Sequence, residues 1–121
     1  MTNREFFIQT WQAEMEKTAG AVRALPKDMS TLSYRCDKKA RSAAEIIGHM
    51  LPHAESICQA TDSFVAAENT GKTFSSTEEA ATYFEKHATR LVENYKLQMI
   101  QPGMNRLLSF RWMETYCSHT L

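Results

Sequence analysis

The chain has 121 residues, enough for a single domain that can bury its own core. Hydrophobic residues make up 43% and charged residues 23%, a globular balance that argues against a disordered chain. Fourteen Lys plus Arg offset fourteen Asp plus Glu, so the surface offers no support for nucleic-acid binding, which draws on a basic face and released counterions.

The first predicted element runs from about residue 3 to residue 24. Phe7, Trp11, Met15, Thr18, Val22 and Leu25 recur at steps of three and four, the spacing of one helical face. Asn3 can cap its start, Pro26 marks its stop, and Gly20 weakens it slightly. Residues 26 to 41 read as an irregular connection ending in a cationic run, Lys38-Lys39-Ala40-Arg41, whose default reading is a solvated face. The connection is long for bundle helices, where about two to eight residues are usual. Leu32 and Tyr34 are the residues expected to tuck its middle against the core.

The second helix opens on Ser42-Ala43-Ala44-Glu45, a capping box in which serine accepts from the amide three residues on and glutamate reaches back. Ile46, His49, Met50, His53 and Ile57 then share a face. Pro52 cannot donate to the carbonyl of Gly48 and should kink the helix there. The helix is expected to end between Thr61 and Asn69, with Thr70-Gly71-Lys72 as loop. A third helix opens at Ser75 or Ser76, with Glu78 or Glu79 three residues on, and carries Ala80, Phe84, His87 or Ala88, Leu91 and Tyr95 in one stripe. Gln101-Pro102-Gly103 is its expected end. A fourth apolar segment, Met104 to Leu121, stops without a glycine cap or polar tail, as if cut inside a helix. These segments show no strand-like alternation. They predict an all-α fold: one domain over residues 1–121, an up-down-type four-helix bundle with a long connection between helices 1 and 2.

No run approaches the roughly 18 apolar residues of a membrane span, and Met1-Thr2-Asn3-Arg4-Glu5 lacks the build of a signal peptide. Cys36, Cys58 and Cys117 are odd in number and form no C-x-x-C, which points to neither a disulfide framework nor a zinc ribbon. A cytoplasmic location without membrane partners is the expectation. Cys58 and Cys117 read as small buried hydrophobes.

Histidine carries the chemistry. His49 and His53 lie four apart, so an intact helix would put both imidazoles on one face, spaced to share a divalent metal. The competing reading is an ordinary surface or half-buried pair, and the kink at Pro52 could turn His53 away. His119 could meet His49 across a bundle core, or be a terminal histidine without a role. His87 reads as a boundary residue. The chain contains no G-x-S-x-G, P-loop or dinucleotide fingerprint.

The stretch from Arg41 to Glu55, with its serine-started helix, glutamate in the first turn and histidine near the middle, resembles the second helix of the DinB-like (YfiT-like) metal-binding proteins. The preceding amphipathic helix and Leu25-Pro26 fit the same order, over roughly residues 4 to 100. The resemblance implies a four-helix bundle with a three-histidine site for zinc or nickel. His49 matches the histidine of the second helix. His119 matches the first of an H-x3-H pair on the fourth, which puts the second just past the end of the sequence. The closing C-terminal helix of the relatives is thus expected to be missing, and His53 is the candidate replacement ligand. The resemblance further implies a metal-dependent thiol transferase acting with a low-molecular-weight thiol. The other reading is a non-catalytic helical module that forms a homodimer, or binds a protein partner, through an exposed apolar face.

Overall fold

The computed structural model describes residues 1–63, 69 and 71–98. Four α-helices and no strand occur among them: α1 (Asn3–Ala24), α2 (Ala43–Met50), α3 (Pro52–Ser63) and α4 (Thr77–Gln98). The predicted fourth segment from Met104, with His119 and Cys117, lies outside the described residues.

Capping sets where the helices begin. Thr2, rather than Asn3, caps α1, one residue before the expected cap: its hydroxyl accepts from the Glu5 amide while Glu5 accepts from the Thr2 amide, a reciprocal box. Leu25, in extended conformation before Pro26, ends the helix. Ser42 accepts from the Glu45 amide as predicted, but the Glu45 carboxylate pairs with Arg35 instead of reaching back, so only half the expected box forms. At α4, Ser76 accepts from the Glu79 amide and Glu79 in turn accepts from the amide of Ser75 at 2.9 Å.

Between α1 and α2, a single 3-10 turn at Thr31–Ser33 drives Leu32 into the core, where it is 7% exposed. Tyr34 does not follow. It is 76% exposed, because the turn ends there and the extended backbone points its ring outward.

α4 is the shared wall. Its small and apolar residues Ala80, Ala81, Phe84, Ala88, Leu91 and Val92 are buried, and both α1 and α3 pack along it. On the α1 side, Phe7 meets Tyr95, the Trp11 indole donates to the Ala88 carbonyl at 3.2 Å, and Arg23 bonds Glu78. Low numbers face high numbers, so α1 and α4 are antiparallel. On the other side, Tyr83 bonds Glu55, Arg90 pairs with Asp62, and Asn94 donates to Thr61 and Asp62. Here the numbers rise together, so α3 and α4 run parallel. This departs from up-down alternation. A parallel neighbour requires the chain to return along α3 before α4 begins at Thr77.

Candidate functional site

The site is organised by Pro52. The expected kink divides the predicted second helix into α2 and α3, with Leu51 between them. Leu51 still donates to the Ile47 carbonyl at 3.1 Å, but proline has no N–H for the Gly48 carbonyl. That carbonyl accepts instead from the Lys72 amide at 2.8 Å. One residue on, the His49 carbonyl accepts from the Asn69 side-chain amide, also at 2.8 Å. The returning connection therefore supplies donors to two consecutive carbonyls at the break, one on buried Gly48 and one on exposed His49.

These donors belong to a strap over the break, Asn69 and Gly71 to Phe74 among the described residues, which has its own internal brace. The Asn69 side-chain oxygen accepts from the Gly71 amide at 2.9 Å, and Gly71 takes φ +83°, a region that favours glycine. Gly48 allows the close approach, since a Cβ there would lie 2.3 Å from the Lys72 carbonyl oxygen. At the end of the strap, Phe74 is buried against Tyr83, and the Lys72 ammonium stands 4.2 Å from the centre of the Tyr83 ring.

His49 and His53 flank this break and remain neighbours. Their ring centres are 5.0 Å apart and nearly perpendicular, at 84°. The kink therefore does not separate them. His49 is exposed and His53 half-buried, and the inward-turned residues of this rod are Ile47, Leu51, Ala54 and Cys58. An interior position for His49 is thus not what the fold shows. The stripe of Ile46, His49, Met50, His53 and Ile57 forms a second, outward apolar face, with Ile46 49% and Met50 44% exposed. Burial, and then the neighbouring charge of His49, holds the His53 pKa below its ordinary value.

His119 lies outside the described residues, so its relation to this pair is not part of the described structure. Among the described residues, no cluster of three or more His, Cys, Asp or Glu is arranged to hold a metal ion. Cys58 is buried, as expected, and burial pushes its thiol pKa up, the opposite of an activated nucleophile. His87 is half-buried with its ring centre 4.6 Å from that of Tyr83.

A groove of about 620 Å³ opens beside His49. Its walls are the 3-10 turn region (Met29, Ser33), the start of α2 with Arg41, and the strap from Gly71 to Phe74. Sequence reasoning missed the strap's role. The signal was present in Pro52 itself: a proline within a helix frees a carbonyl, and a freed carbonyl needs a donor from elsewhere in the chain.

No helix among the described residues is long and apolar enough to cross a membrane. No protein-family model, curated protein or solved structure matches this chain.

Proposed function

We propose that this chain is a helical protein of the DinB-like type that binds a divalent metal ion, zinc or nickel, through His49 and His53 on the outward side of the α2–α3 rod, with His119 as a further ligand. One observation carries the reading: the two imidazoles stay paired across a proline break that could have parted them. Two imidazole nitrogens each about 2.0–2.1 Å from one ion, at a near-tetrahedral angle, put the ring centres about 5 Å apart. The observed 5.0 Å fits that requirement. The lowered pKa of His53 favours the neutral imidazole, the form that donates to a metal.

A bound divalent ion would supply Lewis acidity that lowers the pKa of an incoming thiol. The chain's own part is to hold the imidazoles and to receive the thiol's body. The groove beside His49 has the size of a small-molecule site, and Arg41 and Lys72 line it. Together these features support a thiol-transferase reading with a low-molecular-weight thiol as co-substrate.

The test is thermal denaturation with and without added zinc or nickel. A ligand that binds only the folded chain raises the melting temperature by mass action, and His49→Ala and His53→Ala should each remove most of that rise. Melting curves of the unsubstituted chain that superimpose with and without metal would end the proposal.

A second reading, a homodimer or partner-binding module, is favoured by the outward face of Ile46 and Met50. Light scattering of the metal-free protein at micromolar concentration separates the two, since this reading requires association without metal.

A further inference from the structure

We infer that Asn69 is a positioning residue for the imidazole pair: by bonding the His49 carbonyl it fastens the α2–α3 break at the angle that keeps His49 and His53 together. The inference rests on the proposal that this pair binds a divalent ion.

The pair straddles a hinge. His49 belongs to α2 and His53 to α3, with Leu51 and Pro52 between them, so any change in the angle between the two helices moves one ring relative to the other. In an unbroken helix, the i to i−4 ladder fixes that relation. Here Pro52 removes the rung to Gly48, and Ala54 donates to Leu51 at 3.1 Å, a tighter three-residue step. The ladder no longer sets the angle alone.

What spans the break from outside is the strap. Lys72 donates to the Gly48 carbonyl and Asn69 to the His49 carbonyl, both at 2.8 Å. Of these contacts, the second is made by a side chain to a proposed ligand residue itself. The Asn69 oxygen is meanwhile engaged by the Gly71 amide, so the amide group is oriented from both ends and presents its NH₂ toward His49. Two imidazoles must hold their spacing to within about 0.5 Å to chelate one ion well. A fixed hinge provides that; a loose one makes each binding event bear the cost of ordering it.

Asparagine suits this position for a chemical reason. Its two functions are separable, an acceptor for the turn and a donor for His49. Aspartate keeps the acceptor for Gly71 but sets a carboxylate oxygen against the His49 carbonyl. Serine keeps a turn-forming acceptor but is too short to reach.

Zinc affinity of the full chain, measured by competition with a chromophoric chelator well below the melting temperature, tests the inference. Asn69→Asp should bind zinc about tenfold more weakly, the lower end of what loss of an outer support costs a metal site. The visible spectrum of its cobalt(II) form should also change, because that spectrum reports ligand geometry. Asn69→Ser should weaken binding in the same direction and serves as the variant if the aspartate fails to fold by circular dichroism. A purely structural role would lower the metal-free melting temperature while leaving affinity and spectrum alone, and that result in a folded variant overturns the inference while leaving the proposed function standing. Absence of zinc binding by the unsubstituted chain would overturn the proposed function and this inference with it.

Discussion

The Lys72 amide donates to the Gly48 carbonyl at 2.8 Å, taking up the acceptor that Pro52 leaves without a helical partner. The contact joins a sequence-local event, the loss of one donor, to a topological one. Because α4 runs parallel to α3, the chain leaving α3 must come back past the α2–α3 junction before α4 can begin. The return path, at Asn69 and Lys72, and the carbonyls of His49 and Gly48 thus meet at the same place.

Gly48 is the residue that this meeting constrains most. A Cβ at this position would lie 2.3 Å from the Lys72 carbonyl oxygen, a backbone atom that cannot rotate aside. Gly48→Ala is expected to destabilise the fold by about 1–3 kcal/mol through displacement of the strap. Gly20→Ala makes the control: it lies within α1 with nothing inside 4 Å of the added methyl, so it should gain about 0.5–1 kcal/mol from helix propensity. Urea denaturation of the two variants checks both signs.

Much of the helical architecture was legible because caps and breakers are local chemistry. Ser42, Pro26 and Pro52 act where the sequence places them, since a hydroxyl beside a free amide and a ring without an N–H behave alike in most surroundings. The direction of α3 against α4 was not legible. A short loop at Thr70-Gly71-Lys72 implies antiparallel neighbours, whereas the pairs Glu55–Tyr83 and Asp62–Arg90 show parallel ones. Nothing local distinguishes a loop that turns from one that travels back.

The inward face of the α2–α3 rod was ambiguous for a different reason. Ile46, Met50, His53 and Ile57 share helical spacing, but so do Ile47, Leu51, Ala54 and Cys58, and periodicity cannot choose between two apolar stripes one residue apart. The structure chooses the second. Leu51, fully buried, should cost about 2–5 kcal/mol when truncated to alanine. Ile46→Ala, at a site 49% exposed, should stay within about 0.5 kcal/mol of the parent. Equal losses in chemical denaturation would reverse the assignment of faces.

Truncating the cap of α2 gives a separate check on the half-formed box. Ser42 is 2% exposed and its hydroxyl accepts from the Glu45 amide at 3.2 Å. Ser42→Ala should cost about 1 kcal/mol, the usual loss for a serine cap. Glu45→Gln should change the cap little, because the carboxylate is engaged with Arg35 and an exposed pair of that kind contributes about 0–1 kcal/mol.

Stability should fall on the acid side partly through His87. Its ring packs on that of Tyr83, one turn earlier on α4, and burial, the largest influence, holds its pKa below the ordinary 6.5. Glu55 on α3 acts the other way, while Lys72, Lys86 and Arg90 add to the lowering. With the folded value depressed, the unfolded chain takes up a proton first as pH drops through 6.5, so acid favours unfolding; above that window both states are neutral and the effect vanishes. His87→Gln keeps a polar side chain of similar size without titrating. Its stability should therefore decline less than the parent's between pH 7 and pH 5, with a part of the slope persisting because the His53 pKa is lowered in the same direction. Parallel denaturation curves for parent and variant across that range would show that the His87 ring titrates alike in the folded and unfolded chain.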